Sequence, residues 1–176
     1  FGSRQLSDLN GVASRFPDKV DQPQLMMSAI GQYEVAATPL QMAMVVAAIS
    51  NDGVLKSPYL VSEVLSPQLR VLYRHGPDDQ RAMSTENARL LQQMMVNTVE
   101  HGTGSRAQVD RVVVGGKTGT AQTDPARPPY AWFVAFAKDP DLVVAVFVEE
   151  AGIERSDIAG GRVAGPVAKA VIEASR

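Results

Sequence analysis

No cysteine occurs anywhere in the chain. This excludes a disulfide framework, a thiol nucleophile and thiolate metal ligands, and leaves the compartment open. Histidine is nearly as scarce. His75 and His101 are the only two, stand far apart, match no metal-ligand spacing and are expected in exposed loops. No metal or other cofactor is therefore expected. An excess of positive charge is also missing. The net charge is −2, which argues against a nucleic-acid partner. Long hydrophobic runs are absent too: Leu142 to Val148 is continuously apolar but far too short to cross a bilayer. The chain opens on Phe1 without a methionine or a visible signal peptide. Any export signal or membrane anchor is expected upstream.

What is present suits one folded domain. The 176 residues are 45% hydrophobic and 20% charged. Residues 1–30 are rich in Gly, Asp, Pro and Ser and read as irregular, with at most one short turn. Thr38-Pro39 then starts a helix through Leu40, Met42, Val45, Val46 and Ile49, closed at Asn51-Asp52-Gly53. Val54 to Val64 and Leu69 to Arg74 read as two extended segments with a turn at Ser66-Pro67. Ser84 caps a second helix, Thr85 to about Glu100, whose apolar face is Leu90, Leu91, Met94, Met95 and Val99. Three strands follow at about 112–121, 130–137 and 142–149, the last two joined by a tight turn at Asp139-Pro140-Asp141. Gly160-Gly161 leads into a final helix, about Arg162 to Ala174. The expected class is α+β, an antiparallel sheet flanked by helices.

Chemistry concentrates in Gly115-Gly116-Lys117-Thr118-Gly119-Thr120-Ala121-Gln122. A phosphate-binding loop ending in Gly-Lys-Thr needs a glycine at position 111, which is arginine. A lone lysine on a strand is by default a solvated residue. Here it is one of a set. Strand alternation sends Lys117 and Gly119 to one side and Thr118 and Thr120 to the other. Gly119 weakens a strand interior and so marks a close approach of backbone or ligand. Alternating hydroxyls suit a carboxylate, and an edge strand can pair with an extended peptide.

Lys117-Thr118-Gly119 resembles the third signature of the penicillin-binding proteins and serine β-lactamases, which follows Ser-x-x-Lys and Ser-x-Asn in chain order. The trailing Thr120 is the form found in penicillin-binding proteins. Other stretches are similar to the class B transpeptidases: Ala29 to Gln32, Ala37 to Ala43, Ile49 to Gly53, Val99 to Gly104 and Ala131 to Phe136. The resemblance runs from about residue 24 to the end and leans towards actinobacterial members linked to septal peptidoglycan.

That resemblance implies a penicillin-binding transpeptidase fold and a serine acyl-enzyme that cross-links peptidoglycan. The partners implied are a stem peptide ending in D-Ala-D-Ala, β-lactam antibiotics, and divisome or elongation proteins. The implied location is extracytoplasmic, anchored to the cell membrane. Lys117 would be the catalytic cation that orients the serine of the second motif. Thr118 and Thr120 would hold the substrate or β-lactam carboxylate, and the Thr120 N–H would face the oxyanion. Gly119 would leave room for a helix packed behind the strand. Gln122 and the loop Thr123 to Pro129 would lie at the rim. Neither Ser-x-x-Lys nor Ser-x-Asn occurs in the chain. Thr85-Glu86-Asn87 has the right spacing with threonine, but reads as helix-capping chemistry. Ser28, Ser84 and Ser105 have no base at a recognisable spacing. Phe1-Gly2 resembles the stretch that follows the second motif. On this reading residues 1–176 are the C-terminal part of one transpeptidase domain, inactive alone, and the upstream half is itself a partner. A non-catalytic β-lactam sensor and a serine β-lactamase are the rival readings.

Overall fold

The computed structural model describes residues 11–122 and 126–176. The expected features at Phe1-Gly2 and residues 123–125 lie outside these. Helix α1 (Gln22–Ala29) corrects the irregular reading of the first thirty residues. Asp21 Oδ1 accepts from the Gln24 N–H at 2.8 Å, and Gln24 Oε1 accepts from the Asp21 N–H at 3.0 Å. This reciprocal cap closes two helix-end donors at once. Helix α2 (Pro39–Ser50) starts at Thr38, whose hydroxyl accepts from the Gln41 N–H at 3.1 Å. The Thr38 N–H in turn donates to Ser14 Oγ at 3.0 Å, and Ser14 is almost fully buried.

Strands β1 (Val54–Lys56), β2 (Glu63–Leu65), β3 (Val71–Arg74) and β4 (Asp79–Arg81) form two small antiparallel pairs, β1 with β4 and β2 with β3. The long extended reading of 54–64 is therefore corrected. Pro58 supplies no ladder donor, and Tyr59 leaves the strand path to stack on His75, ring centres 4.0 Å apart. His75 is accordingly half-buried, not a free loop residue, and His101 ends helix α3 (Thr85–His101). Ser84 caps α3 by accepting from the Asn87 N–H, so Thr85-Glu86-Asn87 is the first turn of a helix, in keeping with its reading as capping chemistry.

Strands β5 (Val113–Ala121), β6 (Tyr130–Lys138) and β7 (Leu142–Val148) make an antiparallel sheet in that order. Lys117 is paired with Val134 and Gly119 with Trp132. One face buries Val134 and Phe136 against Val46 and Ile49 of α2 and Met95 of α3. The other buries Phe133, Ala135, Val144 and Val146 against Ala164, Ala168 and Ile172. These last residues belong to helices α4 (Gly160–Val163) and α5 (Gly165–Ala174) or their junction. The single helix expected at 162–174 is thus two. The chain turns at Ala164, and Pro166, which has no N–H to donate, sits in the first turn of α5.

Two phenyl rings interlock with β5. A Cβ at Gly115 would fall 2.3 Å from Phe136 Cζ, and one at Gly116 would fall 2.6 Å from Phe133 Cζ. The rings occupy the volume that side chains on β5 would need, one on each face of the sheet. Mixed helices and antiparallel sheets are present as expected.

Candidate functional site on the edge strand

Strand β5 pairs only with β6, so its other edge is free among the described residues. Lys117 is exposed on that strand, and its Nζ donates to the Thr118 carbonyl at 2.7 Å. A carbonyl reached this way points out of the ladder. In an antiparallel ladder the outward-facing residues alternate, which puts the N–H and C=O of Thr120 on the same open edge. The backbone at Thr118 and Thr120 is therefore offered to whatever lies alongside.

The side chains divide as alternation requires. Lys117 and Gly119 belong to the face of Val134 and Trp132, and Thr118 and Thr120 to the face of Phe133 and Ala131. On the first face Tyr130, Trp132 and Phe147 form an aromatic floor, with Trp132 and Phe147 ring centres 4.7 Å apart. A Cβ on Gly119 would press 3.1 Å from Trp132 Cβ.

Helix α4 lies on the opposite face, and a Cβ on Gly119 would meet only Trp132 and no helix, which corrects the role expected of Gly119. The missing side chain of Gly119 points at Trp132, away from the helix. Room for the helix comes from Gly160, where a Cβ would fall 2.5 Å from the Gly119 carbonyl oxygen and 2.2 Å from that of Trp132. Gly161 packs as closely: a Cβ there would meet the Thr103 carbonyl at 1.9 Å. The start of α4 is thereby seated between Thr118 and Thr120. The Gly160 N–H donates to Thr120 Oγ1 at 3.4 Å, and Thr118 Oγ1 is 2.9 Å from Thr103 Oγ1. Sequence reasoning named neither Thr103 nor Gly160 as a site residue. The Val99 to Gly104 stretch and the Gly160-Gly161 pair were visible, but not their meeting point.

Gln122 is exposed just beyond β5, on the wall of a cleft of about 440 Å³. Gly31, Gln32, Tyr33 and Tyr130 share the lining. The segment around Gly31-Gln32 and the end of the lysine strand therefore come together.

The serines contribute differently. Ser28 is buried in α1, Ser84 caps α3, and Ser105 opens a 3-10 turn. Ser50 does meet a lysine: Lys138 Nζ donates to its Oγ at 2.9 Å and to its carbonyl at 3.0 Å. Ser50 is the last residue of α2, so a cation there caps a helix end. Lys138 pairs with Val113, at the far end of β5 from Thr120. Among the described residues no cluster of His, Asp or Glu is placed to hold a metal. No helix among them is long and apolar enough to cross a membrane.

Residues 1–173 match the family model for the penicillin binding protein transpeptidase domain. The peptidoglycan D,D-transpeptidase PbpA of Mycolicibacterium smegmatis is 43% identical over 162 residues, which is 89% of this chain and 33% of that protein. PbpA of Mycobacterium tuberculosis H37Rv is 40% identical over 161 residues, 88% of this chain and 32% of its own length. Among solved structures, penicillin-binding protein A from M. tuberculosis in its ceftriaxone acyl-enzyme complex matches with a TM-score of 0.84 and 36% identity. That match covers 95% of this chain and 38% of the other. Penicillin-binding protein 3 of M. tuberculosis complexed with aztreonam matches at 0.79 and 25% identity, covering 93% and 40%. The chain thus spans about a third of the length of these curated relatives. The actinobacterial leaning of the sequence agrees with these mycobacterial relatives.

Proposed function

The chain belongs to the penicillin-binding protein transpeptidase family, and from that premise we propose that it carries the substrate-holding wall of a peptidoglycan D,D-transpeptidase. The attacking serine comes from sequence outside these residues, because neither Ser-x-x-Lys nor Ser-x-Asn is among them. Residues 1–176 are accordingly one part of a single transpeptidase domain. The observation that carries this reading is the free edge of β5, with Lys117 exposed on it and the backbone of Thr118 and Thr120 turned outward.

An extended stem peptide ending in D-Ala-D-Ala lies along that edge as an added strand. Its terminal carboxylate is held by the hydroxyls of Thr118 and Thr120, with Lys117 providing positive potential. The serine oxygen bonds to the penultimate D-alanine carbonyl carbon, and the charge on its oxygen is met by the Thr120 N–H. The peptide C–N bond then breaks and the departing amine takes the serine's proton. The amine of a neighbouring peptide resolves the ester and forms the cross-link. Gln122 borders the entrance. A β-lactam enters the same way and stays as the ester; acyl-enzyme complexes of penicillin-binding protein A support this. Such a substrate places the protein outside the cytoplasm, held at the membrane by an anchor beyond these residues.

Fluorescent penicillin labelling of the full-length protein tests the reading. Lys117→Ala is expected to slow acylation by roughly 100-fold, as loss of one preorganised electrostatic group does, with unfolding unchanged. An acylation rate equal to wild type would remove Lys117 from the site. Hydroxylamine-sensitive labelling of the 176-residue chain by itself would place a nucleophile within it and overturn the proposal.

A further inference from the structure

We propose that Thr103 is a positioning residue for carboxylate recognition: its hydroxyl donates to Thr118 Oγ1 and so aims the Thr118 hydrogen at the ligand. The inference rests on Thr118 holding the substrate carboxylate. It starts from the 2.9 Å contact between the two hydroxyl oxygens.

Thr103 is held in place from two sides. It follows Gly102, the cap of α3, and the N–H groups of Gly102 and Gly104 both donate to the Thr98 carbonyl, at 3.1 and 3.0 Å. A Cβ on Gly104 would press within 3.3 Å of Phe133 and Val99. On its other side the Thr103 carbonyl abuts Gly161, which has no side chain to push it away. The hydroxyl of Thr103 therefore reaches Thr118 from a packed turn that is fifteen residues distant in sequence.

A threonine hydroxyl has one hydrogen and two lone pairs. A carboxylate only accepts. If Thr118 spends its hydrogen on Thr103, it can offer the carboxylate only lone pairs, which repel. With the carboxylate present, the pair settles in one order: Thr103 O–H to Thr118, then Thr118 O–H to the anion. Each bond in such a chain polarises the next. Thr120 is treated alike, by a group that has no alternative. The Gly160 N–H can only donate, so Thr120 Oγ1 accepts from it and keeps its own hydrogen for the ligand. Thr118 is thus fed from behind by the hydroxyl of a packed turn, and Thr120 by a backbone N–H.

The test uses the full-length protein and compares acylation by benzylpenicillin with acylation by its methyl ester, which has no carboxylate charge. Thr103→Val keeps the shape and removes the hydroxyl. It is expected to slow acylation by the acid about tenfold, a share of the strength of a hydrogen bond to a charged group, and to slow the ester, whose uncharged oxygen accepts a weaker bond, by no more than about threefold. Thr103→Ser should restore the acid rate to within about twofold, since it returns the hydroxyl. Thr118→Val should lower the acid-to-ester ratio at least as far, and the double variant should be no slower than Thr118→Val. If Thr118→Val lowers the ratio and Thr103→Val does not, the relay is wrong and the carboxylate reading stands. If Thr103→Val slows acid and ester equally, Thr103 only supports the fold and the inference is overturned. If Thr118→Val leaves the ratio unchanged, the carboxylate reading and the relay fall together.

Discussion

Replacing Gly160 with alanine should loosen the whole site face. The new Cβ would lie 2.2 Å from the Trp132 oxygen, 2.5 Å from the Gly119 oxygen and 2.8 Å from the Gly119 nitrogen. All three are backbone atoms of paired strands, so none can swing aside as a side chain would. Helix α4 must instead lift by about 1 Å to restore ordinary contact, against an interior packed like a crystal. That lift stretches the Gly160 N–H to Thr120 bond, already 3.4 Å long, beyond hydrogen-bonding range. It also draws Ala164 and Ala168 from the core they complete. Overpacking costs about 1–3 kcal/mol and occasionally more, and three rigid contacts place this change near 3 kcal/mol. Against a total stability of roughly 5–15 kcal/mol the loss is large. Two glycines serve as controls. A Cβ at Gly76 meets nothing within 4 Å, and one at Gly165 meets Arg106 Cβ at an ordinary 3.7 Å. Gly76→Ala should be neutral within about 0.5 kcal/mol, and Gly165→Ala neutral or slightly stabilising. Urea unfolding of the full-length protein measures all three. A Gly160→Ala midpoint equal to that of Gly76→Ala would refute the steric reasoning.

Asp52→Asn should destabilise at neutral pH, because Arg89 grips the Asp52 carboxylate through Nε at 3.2 Å and Nη2 at 2.9 Å. The Arg89 hydrogen bond holds the Asp52 pKa below its ordinary 3.8. A lowered folded pKa gives stability that is present above the unfolded value and lost as pH falls through the folded one. The wild-type and variant unfolding midpoints should therefore converge below 3.8; a gap that stays constant under acid would count against the pairing. Ser14→Ala should cost about 1–3 kcal/mol, since it strands the Thr38 N–H at the start of α2 without its partner. Denaturation midpoints decide this, and a shift near zero would mean the N–H finds another acceptor.

How much was legible follows from how local each signal is. Thr38 and Ser84 announce α2 and α3 within a single turn, and Gly53 ends α2 at a φ of 87° that suits glycine. The turn at Asp139 to Asp141 ties two adjacent apolar strands, so the β6–β7 hairpin could be read directly. Helix α1 was missed although Asp21, Pro23 and Gln24 are helix-start signals: it is only eight residues long, and its Leu25, Met26 and Met27 are exposed, so it carries no sustained apolar periodicity. The β1 and β4 strands are three residues each and gain their identity only by pairing Leu55 with Gln80. The site divides the same way. Lys117 to Thr120 stood out because the residue types sit side by side. Thr103 and Gly160 approach them from other parts of the chain, through contacts that no local periodicity encodes. Gly119 was legible as a close approach, but not the side from which it is approached.

The two phenyl rings over Gly115 and Gly116 bear on how this site can change through inheritance. Sliding β5 by two residues would bring Val113 or Lys117 beneath Phe136, and Val114 or Thr118 beneath Phe133, where only hydrogen fits. A slide of one residue would turn every side chain to the other face. A shift of register at Gly115 and Gly116 is therefore barred as a source of variation. Lys117, Thr118 and Thr120 can be exchanged one at a time, but their spacing from Gly115 and Gly116 cannot be shifted by sliding the strand. Substitution can alter what stands at each place on this edge, but it cannot move the places.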